Sequence, residues 1–429
     1  VNESIDRRRF LGGAAAAGLT ASTLAGLTPA TAFGAGDRVT VAVIGTNGRG
    51  RALAKGFAGL KEARVAYVCD VDARAIDKGK KAVVDAGEPA PEGVKDFRRA
   101  LDDKSVDAVI VATPNHWHAP AAILACASGK HVYVEKPCSH NPREGELLVE
   151  AARKHRRVVQ MGNQRRTWEK IIEAIERIRS GVLGRTYYST NWYANSRGTI
   201  GRGSKVAVPS WLDFDLWQGP AARQDFVGNL VHYNWHWRWH WGNGEIGNNG
   251  VHGLDLCRWG LEVDYPIRVT SGGGRYRFDD DQETPDTQIS TFEFEGGKAI
   301  KFESMSCNRH GLGGGGFGVS FHGEKGSLLI QGSGYKIFDA SDKLIEEVTG
   351  PRDDRLHFRN FLECIASGKR PASDIDGGHK STLLCHLGNI AHRTGRTLTC
   401  DAKSGRIQGD PDAMKLWTRE YAKGWEPRV

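Results

Sequence analysis

The sequence predicts an α/β protein in which a parallel, doubly wound sheet is followed by an α+β unit with an open, mostly antiparallel sheet. Three observations predict it. Val39–Ile44 is an unbroken apolar run, as a strand buried on both faces requires, and it leads into the turn Gly45-Thr46-Asn47-Gly48-Arg49-Gly50. Runs of the same kind then recur between helical patterns: residues 64–69, ending at Asp70; 106–112, closed by Thr113-Pro114-Asn115; 131–134, followed by Glu135-Lys136-Pro137; and 158–161. After about Gly162 the texture changes to strand-like alternation punctuated by Gly and Asp, at 186–193, 289–294, 299–305, 319–322 and 327–330.

Each element has its own signal. The N-terminal Asp6-Arg7-Arg8-Arg9-Phe10-Leu11, the weakly apolar Ala/Gly run to Leu27 and the small-x-small Ala30-Thr31-Ala32 resemble a twin-arginine export signal. The run is too short and glycine-rich to span a membrane. Residues 1–36 therefore read as a targeting segment, and the mature chain as exported, periplasmic or otherwise, with no membrane span. The first unit reads as 37–162, with helices after the first turn, to about Ala86, and from about His118 to Ser128. The second reads as 163–355, opening with a helix from Trp168 to Ile178. The glycine-rich 311–318 is not followed by a helix start with Lys-Ser/Thr, so it reads as a loop rather than a phosphate cradle. Residues 356–429 read as C-terminal helices and a tail that pack back on the first unit, the two amphipathic patterns falling between Arg355 and Arg393.

Composition excludes several classes. At 429 residues, 39% hydrophobic and 26% charged, the chain can build two ordinary cores. The net charge of +8 is mild, and no Lys/Arg run with interleaved aromatics appears, which argues against a nucleic-acid partner. The eight cysteines are scattered without a CxxC pair and read as small buried apolar residues.

The first turn is an imperfect GxGxxG: Asn47 stands where the second glycine would, with an extra Gly48. Its context strengthens it, because a buried strand precedes, a helix follows, and Asp70 closes the second strand 20 residues beyond Gly50. Gly45, Asn47, Gly48, Arg49 and Gly50 would cradle a pyrophosphate at a helix N-terminus. Asp70 would accept the adenosine ribose hydroxyls and repel a 2′-phosphate, favouring NAD over NADP. The first unit thus reads as a Rossmann dinucleotide-binding domain; a different nucleotide, or a ligand-free domain of that shape, is the alternative.

Thr113-Pro114-Asn115-His116-Trp117-His118, Val134-Glu135-Lys136-Pro137 and Gly250-Val251-His252-Gly253-Leu254-Asp255 resemble the motifs of the glucose–fructose oxidoreductase / inositol dehydrogenase / MocA family. The resemblance extends from about 38 to 400, and 212–220 resembles a segment of exported members. It implies a nicotinamide between a Rossmann domain and an open-sheet α/β domain, with Thr113, Pro114, Asn115, His118, Glu135 and Lys136 at the cofactor. It implies that Lys136 also touches the substrate hydroxyl, that His252 moves the hydroxyl proton, that Arg165 faces the substrate, and that the open sheet makes a homo-oligomer. Chemistry agrees: alcohol oxidation loses a hydride to a cofactor and a proton to a base, and an imidazole beside a desolvated ammonium suits the second task. The chain departs from the family at Asn248, where Asp is usual. On a helix Asn248, His252 and Asp255 would share one face, so the relay rests on His252 or runs through Asp255.

The segment 232-HYNWHWRWHW-241 alternates polar and aromatic residues without a break, which predicts an extended strand. Seven of the 12 tryptophans lie between Trp192 and Trp241. Trp235, His236, Trp237 and Arg238 would line a carbohydrate pocket, with ring faces on sugar C–H groups and polar groups fixing hydroxyls; core packing is the other reading. His232, His236 and His240 would sit too far apart on one strand face for a single metal, so no metal is expected. The whole predicts an exported oxidoreductase that retains NAD and acts on a sugar, polyol or glycoside hydroxyl. A redox-neutral, NAD-dependent glycoside hydrolase or lyase is the first alternative, and a non-catalytic sugar-binding protein the second.

Overall fold

The computed structural model describes residues 38–429. Residues 1–36, expected to be a targeting segment, lie outside them. No helix among the described residues is long and apolar enough to cross a membrane.

The first sheet has six strands, all parallel: β1 Val39–Ile44, β2 Ala63–Cys69, β3 Glu92–Val94, β4 Ala108–Val111, β5 His131–Val134 and β6 Val159–Met161, in the order β3-β2-β1-β4-β5-β6. The two central strands, β1 and β4, are buried at every residue, as a sheet covered on both faces demands. Helices α1 Arg49–Ala58, α2 Ala73–Val84, α3 Arg98–Asp102, α4 Asn115–Ala127 and α5 Pro142–Lys154 make the crossovers. Local chemistry sets their starts: Asp72 caps α2 through the Arg74 N–H, and Asn141 caps α5 just ahead of Pro142. Helix α4 begins at Asn115, three residues before the expected start, and β3 carried no apolar run that could have announced it.

The second sheet has eleven strands, two of which, Leu398–Cys400 and Ile407–Gln408, come from the C-terminal end of the chain. After α6 Glu169–Arg179 come β7 Thr186–Ser196, α7 Phe214–Gln218, α8 Val251–Leu261, β8 Arg268–Gly274, β9 Thr287–Phe294, β10 Lys298–Met305, β11 Cys307–Asn308, β12 Phe317–Gly323, β13 Gly326–Gln331, β14 Gly334–Asp339 and β15 Leu344–Val348. All neighbours are antiparallel except β7 and β10. Alternate residues such as Phe292, Phe302, Val319, Phe321 and Leu328 are buried, and α6, α8 and a later helix, Ile375–Thr394, cover that face. The expected fold class is the one observed.

The last helices are α9 Arg355–Ser367 and α10 Ile375–Thr394. Helix α9 returns to the first sheet, where Phe358 stacks on Phe57 of α1 at 4.9 Å and Phe361 meets the same ring edge-on at 6.4 Å. Helix α10 packs against α5 and β6 on one side and α8 and β8 on the other, so it ties the two sheets together.

The aromatic segment is not a strand. Asn234–Trp237 is a 3-10 turn, and its N–H groups bond a few residues back within the segment: His236 N–H to Tyr233 O, Arg238 N–H to Trp235 O, Trp241 N–H to Arg238 O. No strand ladder forms; beyond these local bonds, the Glu283 and Thr284 N–H groups donate to Trp237 O and the Trp239 N–H donates to the Glu283 carboxylate. The rings also go to separate places. Trp241 joins Phe214, Trp217 and Phe226 in one aromatic cluster, while Trp237 and Trp239 lie under Arg197 and Arg393.

Phe361 is fully buried between α9 and the first sheet. Phe361→Ala should lower unfolding free energy by about 3–5 kcal/mol, read from the shift of a urea midpoint at constant slope.

Candidate functional site

A cleft of about 550 Å³ opens at the carboxyl ends of β1, β2, β4 and β5. Strand order reverses there between β1 and β4, which splays the following turns apart and leaves a crevice. Residues of the second unit close it, among them Trp235, His236, Asn248 and His252.

On the nucleotide side, Gly45 has φ +84° and a Cβ there would lie 2.7 Å from Ala112 O. A Cβ on Gly50 would overlap the Gly45 carbonyl, so only glycine lets α1 start this close to the turn. Helix α1 has no side-chain cap and no acidic residue in its first turn. Its leading N–H groups remain free for an anion at the cleft. Asp70 accepts the Thr46 N–H at 2.6 Å and the Asp72 N–H at 3.0 Å. Burial still pushes its carboxyl above the usual range, against the pull of those two bonds. Nearby Arg74 is committed elsewhere: it pairs with Asp72 at 2.8 Å and stacks 3.4 Å over Trp211. This constellation fits a dinucleotide.

On the reaction side, the turn after β5 presents Glu135 and Lys136. Glu135 is buried and held by Arg49 at 2.9 Å and by the Gln164 amide at 3.3 Å. Desolvation alone would raise its pKa, but Arg49 and then Lys136 bring it below the usual carboxylate value. The His118 ring lies 2.7 Å from Thr113 O and 2.6 Å from Pro137 O, tying the turn after β4 to the turn after β5. Lys136 Nζ donates to Asn248 O at 2.6 Å and Asn248 Oδ1 at 3.0 Å. Burial holds its pKa below that of an ordinary lysine, with Glu135 opposing. His252, in the first turn of α8, lines the same cleft. Burial, then Arg165 and Lys136, hold its pKa well below the ordinary imidazole value.

The cleft gathers Gly45, Asn47, Gly48, Arg49, Asp70, Thr113, Pro114, Asn115, Glu135, Lys136 and His118 on one side, and Arg165, Trp235, His236, Asn248 and His252 on the other. Gly50 lies beneath the turn rather than on the cleft wall. Trp237, Arg238 and Asp255, expected at the substrate, are elsewhere. Trp237 is buried under Arg197, 4.8 Å from its ring centre. Arg238 donates to Asn229 and Asp281, each at 3.0 Å. Asp255 is gripped by Arg166 through two bonds of 2.8 Å and receives the Ser381 hydroxyl at 2.7 Å. The expectation of one shared helical face failed because Ile246–Gly250 is a π-helical turn, whose wider winding rotates Asp255 away from Asn248. The three histidines of the aromatic segment diverge: His232 to Asp72, His236 to Tyr233 O and His240 to Ala222 O.

Gln164, Trp168, Arg352 and Asp354 also line the cleft and were not anticipated. Gln164 and Trp168 flank Arg165 and could have been found from it. Arg352 and Asp354 precede α9, and only the return of that helix to the first sheet brings them here.

Comparison with known proteins gives two family matches. The model described as "Oxidoreductase family, NAD-binding Rossmann fold" matches residues 39–163, and "Oxidoreductase family, C-terminal alpha/beta domain" matches 185–427. A glycosyl hydrolase family 109 protein of Saccharopolyspora erythraea is 34% identical over 167 residues, 38% of this chain and 36% of that protein. Another, of Stenotrophomonas maltophilia, is 36% identical over 138 residues, 31% of this chain and 30% of that protein. The alignments thus span about a third of these curated relatives. Among solved structures, the aldose–aldose oxidoreductase of Caulobacter crescentus, complexed with glycerol, superposes with TM-score 0.66 at 21% identity, over 85% of this chain and all of that one. Levoglucosan dehydrogenase, in complex with NADH and levoglucosan, does so with TM-score 0.65 at 18% identity, over 85% and 99%. At these identities the likeness is one of fold.

Arg49 is more than a third exposed, so water screens part of its pairing with Glu135. Arg49→Gln should destabilise the fold by about 1–3 kcal/mol at neutral pH. Glu135 has a depressed folded pKa, so the pair's contribution is complete above the ordinary carboxylate pKa and is lost as pH falls through the folded value. The gap between variant and wild type should therefore hold from pH 7 down to about 4.5, the ordinary carboxylate value, and shrink below it, as read from urea titrations across that range.

Proposed function

The chain belongs to the Gfo/Idh/MocA oxidoreductase family, and from that premise we propose that it is an NAD-retaining oxidoreductase acting on a hydroxyl of a sugar, polyol or glycoside. The observation that carries this reading is the pairing of the Lys136 ammonium, fixed by Asn248, with the His252 ring in one cleft. Bound NAD supplies the hydride acceptor. His252, neutral because its pKa is depressed, has a lone pair for the hydroxyl proton. The Lys136 N–H groups stabilise negative charge growing on the hydroxyl oxygen. Asn248 takes no proton; it aims the ammonium. Trp235 and His236, stacked at 3.5 Å, offer a flat face to the substrate. Asp70 receives the adenosine ribose, and the commitment of Arg74 to Asp72 leaves no guanidinium there for a 2′-phosphate, which favours NAD over NADP.

The N-terminal arginine pair and cleavage pattern support export in folded form. Outside the cytoplasm a nicotinamide is not exchanged with a pool, so it would be recycled within each turnover. A second reading follows from the similarity to glycosyl hydrolase family 109 proteins: oxidation of a ring hydroxyl acidifies a neighbouring C–H, elimination expels the aglycone, and water addition and reduction restore the sugar, with no net redox change.

Protein purified without added cofactor and then denatured should release NAD in near-stoichiometric amount; NADP in its place, or no nucleotide and no binding on titration, would overturn the reading. His252→Ala should lower turnover by about 10²–10⁴ with NAD content unchanged. Because the His252 base is active when neutral and its pKa is depressed, wild-type rates should hold as pH falls through about 6.5, the ordinary imidazole value. Free sugar released from a glycoside without net NADH selects the redox-neutral reading.

A further inference from the structure

We propose that Arg165 and Arg352 form a dedicated anion site around the Trp168 ring, and that the sugar unit bound in the cleft carries a carboxylate or a sulfate ester. This deepens the carbohydrate reading above and rests on it.

The other cations on the cleft wall have partners. Arg49 holds Glu135 at 2.9 Å and Asp354 at 3.7 Å, Lys95 lies 3.7 Å from Asp213, and Lys136 is held by Asn248. Among the described residues the side chains of Arg165 and Arg352 make no ion pair and no hydrogen bond. Arg165 Nε is buried without an acceptor. Its guanidinium lies 4.2 Å from the Phe317 ring centre and 5.1 Å from that of Trp168, and Arg352 lies 5.4 Å from the latter. Ring faces attract a cation, but they replace little of the hydration that a buried guanidinium loses. The two guanidiniums also repel each other, and burial with that repulsion draws the Arg165 pKa down to about 10, with Asp354 opposing.

The Asp354 carboxylate attracts Arg165 but is shared with Arg49 at 3.7 Å, which leaves the two arginines with an incomplete charge balance. A substrate anion completes it, and the planar guanidinium fork matches the paired oxygens of a carboxylate or sulfate. The pyrophosphate end of the cleft is served separately by the Gly45–Gly50 turn and the free N–H groups of α1. Arg165 and Arg352 both act on the charge of His252, so the anion sits on the reaction side of the cleft.

The test is calorimetric titration of the NAD-loaded full chain with matched probes: glucuronate and glucose 6-sulfate against glucose, and galacturonate and galactose 6-sulfate against galactose. An anionic member should bind at least about tenfold more tightly than its neutral counterpart. The carboxylate and sulfate arms identify the source of the charge. Arg352→Gln, at an exposed position, should erase that ratio while neutral-sugar affinity and NAD content persist, and Arg165→Gln should erase it as well. Equal binding of charged and neutral probes, or failure of every charged probe while neutral sugars bind, overturns the anion site and leaves the carbohydrate reading standing. Loss of NAD in the Arg352→Gln protein also overturns it, because the arginines would then serve the cofactor. Binding of no sugar at all ends both readings.

Discussion

The cleft depends on the contact between the Lys136 ammonium and the two oxygens of Asn248, groups 112 residues apart in sequence. It joins the carboxyl end of the parallel sheet to the turn that opens α8. Each side is anchored behind it. Lys136 follows Glu135, which Arg49 and Gln164 hold, and the His118 ring braces the same turn from β4. Asn248 sits in a π-helical turn at the head of α8, whose buried residues pack on the second sheet. The charge-assisted bonds are each worth about 1.5–3 kcal/mol, but their effect is chiefly geometric, because they set one ammonium at one place in a desolvated cleft.

Charge is distributed around that contact in a consistent way. Three buried carboxylates are committed: Glu135 to Arg49, Asp255 to Arg166 and Asp72 to Arg74 and His232. None of these is left to hold a proton on His252, and the surrounding cations Arg165, Lys136, Arg49 and Arg352 oppose one. The ring is therefore kept neutral, and positive charge remains in excess around it. Both consequences come from where the pairs form rather than from the composition, whose balance of +8 over 429 residues says little.

Helix α10 explains why the second unit can be a partner in this site rather than an appendage. It is capped by Asp374, runs 20 residues, and is buried along most of its length. Ser381 on α10 donates to Asp255 and accepts from Arg258, so the Arg166–Asp255 pair is built into the seam between the sheets. The same seam makes Asp255 structural, although its position in the motif suggested a place at the substrate.

The sequence by itself determined what is local and periodic: the buried strands, the glycine turn at Gly45–Gly50, Asp70 at the end of β2, Glu135-Lys136 at the end of β5, the alternating strands of the second sheet, and through its motifs the family. Each is set by side chains within one turn or one strand, where hydrophobic period and backbone freedom act directly. Strands without an apolar period, such as Glu92–Val94 and Arg268–Gly274, were not legible in this way. Only the tertiary structure decided that the aromatic segment is a series of turns, that a π turn parts Asp255 from Asn248, and that Arg352 and Asp354 reach the cleft. Those outcomes rest on pairings between groups far apart in the chain, each competing for one partner in a space that forms only when the two sheets and α10 close on one another.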